Sequence, residues 1–410
     1  MKKDSFYKNH LSIFLLSGII LGSITGLLWP NASALKPLGT IYINAMFCVV
    51  VPLVFFSISS SIANMESGRR TSKILSVTIA LFALTAIIAA LFMLTALKLF
   101  PLTVSNYPEV AANNDVKLDV SSLLVNFLTQ PDFPQLISKN AILPLIAAAI
   151  IFGFAIQKNG GAESPAAKLF KNLSDCSVGA VKIINCYAPI GFFGFFANLV
   201  SELGTVFLAD YGRLVITYYL VAALYFAVFS AVYAYWGAGI RGVKMMYRHI
   251  TRSMVVAFGT SSSVAAMPVN LEQAKDSGVS PEVSSLVIPM GTTMHMDGIA
   301  LTTVLKIIFL SQMFEMRFSY EEAVLAVAVA ILASVASPAI PGGGNTGSVI
   351  LCTVFFPEQF AIAYPIAASI GNMVDPISTM VNASLDYVAT FIVERYVNGK
   401  NWLKKYLARQ

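Results

Sequence analysis

Two short stretches carry most of the groups in this chain that could do chemistry. The first is "GTTMHMDGIA", Gly291 to Ala300, which sets His295, Asp297 and two threonines inside a long apolar run. The second is "GNMVDPISTMVNASLDYVAT", Gly371 to Thr390, where Ser378, Thr379, Asn382 and Asp386 follow Asp375 at offsets of three, four, seven and eleven. At 3.6 residues per turn these offsets draw one stripe along a helix. A polar seam between packed helices accounts for Ser378, Thr379 and Asn382 but poorly for two acids, because carboxylates inside a membrane are costly and mark ion or substrate paths. Hard cations such as sodium take oxygen ligands. Asp297, Asn382 and Asp386 offer side-chain oxygens, and a helix unwound near Gly291 and Gly298 would add backbone carbonyls. Half-helix N-termini in broken segments point positive ends at anions. Residue chemistry therefore points to a cation-coupled transporter of a small zwitterion or anion.

The elements that must hold these groups are read from composition and hydropathy. Of 410 residues, 57% are hydrophobic and 12% charged, against roughly 25% charged in an ordinary soluble domain. This is the composition of an integral membrane protein. The net charge of +6 comes from short Lys/Arg clusters between apolar runs, which read as topology signals rather than a nucleic-acid surface. Cys48, Cys176, Cys186 and Cys352 lack paired spacing and imply neither a disulfide framework nor a metal site. The first apolar run is too long for a signal-peptide core. A spanning helix needs about 20 apolar residues, and candidates lie at 10–29, 38–62, 73–99, 139–157, 172–200, 209–238, 284–312 and 366–393, with an extended polar loop over 101–138. Basic clusters at Lys2/Lys3/Lys8, Arg69/Arg70/Lys73, Lys158/Lys168/Lys171, Arg241/Lys244/Arg248/Arg252 and the C-terminal tail fall on one side of such a count. Eight spans with both termini cytoplasmic satisfy the positive-inside rule. Two interrupted segments, 253–270 and 322–358, are left over. Each reads as a re-entrant hairpin, one from either side, since a break exposed to lipid at mid-depth is not tolerated.

Five motifs, "YAPIGFFGFFA" (187–197), "AFGTSSSVAAMPV" (257–269), "IPMGTTMHMDGIAL" (288–301), "IPGGGNTG" (340–347) and "DPISTMVNASLD" (375–386), together resemble the dicarboxylate/amino acid:cation symporter family, which includes archaeal aspartate transporters and excitatory amino acid transporters. The resemblance covers nearly the whole chain. It implies an all-α membrane fold with eight spans and two hairpins in the inner or plasma membrane, acting as a homotrimer by alternating access. Scaffold would be 1–71 and 139–206, with span three and its loop at 72–138, span six at 207–252 and a moving transport unit at 253–410. Asp375 matches the acid that holds the substrate's α-ammonium. Thr379, Asn382, Ser262 and Ser263 match groups around its α-carboxylate, and Gly344 belongs to the outer hairpin that closes the pocket. Gly291, His295 through its carbonyl, Asn382 and Asp386 match one sodium site. Thr293 with Ser334, Val335 and Ser337 matches a second, and Asp297 the side-chain ligand of a third. Sodium, or a proton in place of one sodium, is the coupling ion, and no other metal or cofactor is implied.

Departures from the family pattern shift the expected substrate. Acidic-substrate members carry an arginine where Ser378 stands, a threonine where Ile299 stands, and often an arginine at Ser261. A second carboxylate would then be buried without its partner at a cost of several kcal/mol, so a small neutral amino acid is expected ahead of glutamate, aspartate or a dicarboxylate. The third cation site offers Phe82, Thr85 and Ala86 where a Tyr and a Thr-Ser pair are usual, and its "NMDG" is "HMDG" here. His295 either hydrogen-bonds Asp297 as a structural group or carries a proton as the charge itself. Lys306, nine residues after Asp297, is expected to snorkel toward the interface. "FGTSSS" with His295 could form an intramembrane serine protease, but that leaves Asp375, Asp386 and the outer hairpin without a role. The expectation is a carrier and not an enzyme.

Overall fold

A computed structural model describes residues 11–29, 31–64, 69–105, 107, 129–138, 141–337 and 344–408. Every regular element among these is helical. The outer face of the fold begins with α1 (Leu11–Leu28), a 3₁₀ turn (Ala32–Leu35) and α2 (Lys36–Ala63). Helix α1 lies flat on a later helix because Gly18, Gly22 and Gly26 put no side chain against the backbone carbonyls of Pro189, Phe193 and Ala197. Small residues one turn apart allow this approach where lipid supplies no hydrophobic drive between helices.

Next come α3 (Arg69–Leu99), a single turn α4 (Phe133–Leu136) inside the expected loop, and α5 (Ile142–Lys158). Most of that loop, 108–128, lies outside the described residues. Its start is pinned where Ser105 N–H (2.7 Å) and Tyr107 O–H (2.9 Å) donate to the buried Asp210. The fifth and sixth expected spans run together as α6 (Pro165–His249), capped by Ser164, whose hydroxyl accepts from Ala167 N–H. Gly204 (φ 72°) and Gly239 (φ 65°) break α6 into rods over 165–203, 205–237 and 240–249. A residue with a Cβ would strain at either break.

The remaining helices form the unit that holds the polar stretches. They are α7 (Thr251–Thr260), α8 (Ser263–Asp276), α9 (Pro281–Met294), α10 (Asp297–Met313), α11 (Tyr320–Ala336), α12 (Asn345–Phe355), α13 (Phe360–Asn398) and α14 (Trp402–Leu407). The first interrupted segment is helix–break–helix, and the second has a helix on either side of 338–343. Ser261 (φ 47°) turns the first and Ser262 caps α8, accepting from Ala265 N–H. In the second, a capping box of Ser319 and Glu322 starts α11, and 338–343 of the "IPGGGNTG" motif lie outside the described residues.

Three helical stretches among the described residues are long and apolar enough to cross a membrane: Ser72–Leu99, Pro165–His249 and Pro281–Met313. Protein buries 78% of the apolar window of the last against 28% for α6, so α9–α10 is core while α6 carries an outward face. Helix α13 is buried almost all round from Ala363 to Glu394. A helix so enclosed can carry acids that a lipid-facing one could not.

Candidate functional site

The helix expected over 284–312 breaks at His295 (φ −103°, ψ 88°) and Met296 (φ −127°, ψ 63°), between the two glycines rather than at either. The break frees carbonyls of the last turn of α9 and N–H groups of the first turn of α10. Asn382 of α13 takes one of those donors, its Oδ1 accepting from Gly298 N–H at 2.7 Å. Tyr218 O–H (2.8 Å) and Thr302 O–H (2.7 Å) both donate to the Gly298 carbonyl. Gly298 has no side chain because Ser378 occupies that place, and Gly291 has none because the Asp386 carboxylate presses on it.

His295 is the hinge of a buried cluster. Its Nδ1 lies 2.9 Å from Asp386 Oδ1, and its Nε2 lies 3.0 Å from Thr85 Oγ1 and 3.6 Å from Asp297 Oδ1. The ring stacks on Phe82 at 4.4 Å and 7°. Tyr225 O–H donates to Asp297 Oδ2 at 2.7 Å, and Tyr225 and Tyr233 share a hydrogen bond of 3.2 Å. Asp297 and Asp386 are both fully buried. Among the described residues Asp297 Oδ1 and Asp386 Oδ2 have no hydrogen-bond partner. With both acids ionised, one imidazole cannot balance two carboxylates even when protonated, and two orphaned oxygens in a dry site favour a small cation. Asp297, Asp386, Asn382 and the freed carbonyls thus gather oxygen atoms, the donors that hard cations take.

One turn to two turns along α13, Thr379 O–H donates to Asp375 Oδ1 at 3.1 Å. Asp375 is half-buried, and Ser378 and Thr379 are buried beside it. The first interrupted segment packs here: Ala257 and Ala266 meet Ala383, and Asn270 Nδ2 donates to the Ala383 carbonyl at 2.6 Å. That brings Ser261, Ser262 and Ser263 of its turn to the α13 face, with Ser261 and Ser263 buried. Ile299 faces α12, its Cγ2 being 3.6 Å from where a Gly347 Cβ would stand, and Gly344 is the N-cap of α12.

Another expected grouping is looser. Thr293 is exposed and its hydroxyl donates to its own helix at Met290 O (3.0 Å). Ser337 O–H likewise donates to Ala333 O (2.7 Å). Among the described residues no hydrogen bond joins Thr293 to Ser334, Val335 or Ser337, although α9 and α11 touch.

The lysine expected to snorkel does not. Lys306 is 2% exposed and its Nζ donates to Ser348 Oγ of α12 at 2.9 Å. The reason is local: Gly371 of α13 leaves open the spot the ammonium reaches, 2.8 Å from where a Cβ would be. The three tyrosines of α6 escaped the reading of motifs. The tyrosines had a signal, Tyr218, Tyr225 and Tyr233 at spacings of seven and eight on one helix face.

The sequence model of the sodium:dicarboxylate symporter family matches residues 11–396. Relatives divide by name. A C4-dicarboxylate transport protein of Citrifermentans bemidjiense is 25% identical, covering 98% of this chain and 93% of its own. Its counterpart in Acinetobacter baylyi is 26% identical, with 97% and 94% covered. A serine/threonine transporter of Streptococcus agalactiae is also 26% identical, with 93% and 95% covered. Equal identity to both kinds leaves the substrate to the chemistry of this chain's own residues.

Proposed function

The chain belongs to the sodium:dicarboxylate symporter family, a transporter and not an enzyme, and from that premise we propose that it imports a small amino acid together with sodium by alternating access. The observation that carries this reading is the polar stripe of α13, with Asn382 and Asp386 buried at the break between α9 and α10 and the half-buried Asp375 farther along the same helix. In the same reading the chain crosses the cell membrane eight times with both termini cytoplasmic. The segments at 253–270 and 322–358 enter as hairpins, 253–410 moves against a scaffold of 1–71 and 139–206, and three copies assemble. Support comes from the basic clusters, the two interrupted segments and the family match.

Asp375 would hold the substrate ammonium, with Thr379, Asn382 and the serine turn around its α-carboxylate. Sodium would sit at Asp386 and Asp297, with a second ion near Thr293 once α11 closes. Coupling follows from linkage: cations order the acids and carbonyls that complete the substrate site, so each ligand raises the other's affinity.

The substrate's side chain has two readings. Ser378, Ile299 and Ser261 leave the pocket without a guanidinium and favour serine, alanine or threonine. Lys306, buried against Ser348 near Asp375, favours an acidic solute. Uptake into proteoliposomes tests the whole proposal. Labelled amino acid should accumulate only under an inward sodium gradient and stop when sodium is replaced by choline. Equal flux without sodium would reject symport, and uptake that never saturates with substrate would indicate a channel.

A further inference from the structure

A buried ammonium offers three N–H donors, and among the described residues that of Lys306 has one hydrogen bond, to the neutral Ser348 hydroxyl. Among the described residues no carboxylate lies within ion-pairing distance of it. An uncompensated buried charge costs several kcal/mol, and a methionine of similar volume would fill the space without that cost. Packing therefore does not explain a lysine here.

The surroundings are built for an anion. Asn345, the first residue of α12, is 1% exposed, and among the described residues neither atom of its amide has a partner. Its Oδ1 lies 3.7 Å from the position of a Gly371 Cβ, the same point that Lys306 Nζ approaches to 2.8 Å. Ammonium and amide thus come together over Gly371, where α13 carries no side chain. The N–H groups of the first turn of α12 precede its first internal bond, Ser348 N to Gly344 O, and the positive end of that helix faces the same region. Rotated by half a turn, the Asn345 amide presents N–H to an acceptor. Gly371 stands one helical turn before Asp375.

We propose that Lys306, Asn345 and the first turn of α12 form a carboxylate subsite over Gly371, which takes the side-chain carboxylate of an acidic amino acid while Asp375 takes its ammonium. Spots one turn apart on a helix are about 5–6 Å from each other, a separation the length of aspartate or glutamate spans. The positive charge that Ser378 does not supply from α13 comes instead from α10. The proposal rests on the amino acid symporter reading and replaces its neutral side chain with an acidic one.

Aspartate and asparagine have the same shape and differ in this charge, so they are the probes. Thermal unfolding of the purified full-length protein is followed at saturating sodium against L-aspartate, L-asparagine and L-serine, and separately against sodium chloride with no amino acid. Wild type should bind aspartate more tightly than asparagine. Lys306→Met should weaken aspartate by about 30-fold or more, the cost of unpairing a buried charge, and leave asparagine and serine within about threefold. Lys306→Arg should restore part of the aspartate affinity. Retained stabilisation by sodium alone shows that each variant is folded. Unchanged aspartate affinity in Lys306→Met would overturn the subsite, as would equal losses for all three amino acids. Stabilisation by chloride that Lys306→Met abolishes would make the occupant an inorganic anion and also overturn it. Serine binding without aspartate binding in wild type would refute the subsite but keep the symporter. No amino acid binding at any sodium concentration would reject the amino acid reading on which the subsite rests.

Discussion

Helix α10 carries two buried polar clusters of opposite character against the same face of α13. At its N-terminal end, Asp297 joins Asp386 around one imidazole, and among the described residues two carboxylate oxygens remain without donors. Nine residues on, about 13 Å at 1.5 Å per residue, Lys306 meets an amide and a hydroxyl with no acid of the described residues in ion-pairing reach. With its acids ionised, the first cluster lacks positive charge; with its lysine protonated, the second lacks negative charge. Packing alone would not leave both unbalanced, because each deficit costs stability in a dry interior. Two ligands of opposite sign, a cation and a carboxylate, would cancel both deficits at once, and this gives cotransport a physical basis in one helix pair.

The comparison can be broken at either end. The largest effect is expected from Asp386→Asn, which removes a charge from the acid-rich cluster. Sodium affinity, read from a sodium titration of the melting temperature, should fall by about 30-fold or more, while Lys306→Met should leave the sodium titration nearly unmoved. Gly291→Ala comes next. Its Cβ would press into the Asp386 carboxylate, and overpacking of this kind costs about 1–3 kcal/mol, seen as lower stability and weaker sodium binding together.

Tyr225→Phe should strip Asp297 Oδ2 of its donor. An unsatisfied buried acceptor costs about 1–3 kcal/mol, and added sodium should recover part of that loss by supplying a new partner. Gly371→Ala is the mildest and the most selective. Among the described residues the new methyl presses on the flexible end of Lys306 and makes ordinary contact with Asn345 Oδ1, so stability should hold within about 1 kcal/mol. Aspartate affinity should drop while sodium affinity does not. A fall in both would mean that the two clusters are not separable.

The acid-rich cluster was legible in the sequence because its α13 members repeat at helical spacing and Asp297 sits in an apolar run. The break at His295–Met296 was legible as a loss of helix, though its position between Gly291 and Gly298 was not. Lys306 was misread because a lysine nine residues into an apolar helix looks like one whose head reaches water. Its true setting depends on Gly371 and Asn345, residues 65 and 39 positions later in the chain, and no local pattern links them. The tyrosines of α6 were passed over since each alone resembles an interface residue. Only the packed structure puts the Tyr225 hydroxyl on Asp297. Thr293 shows the reverse case, a residue marked by its motif whose hydroxyl turns back to its own helix.

The central claim is that cation and amino acid stabilise one another through α10 and α13. Thermal unfolding across a grid of sodium and amino acid concentrations measures it directly, because a ligand that binds only the folded state raises the melting temperature by mass action. The account predicts that sodium and amino acid together stabilise the protein by more than the sum of their separate effects, and that Asp386→Asn removes the excess. Strictly additive stabilisation in wild type would contradict it.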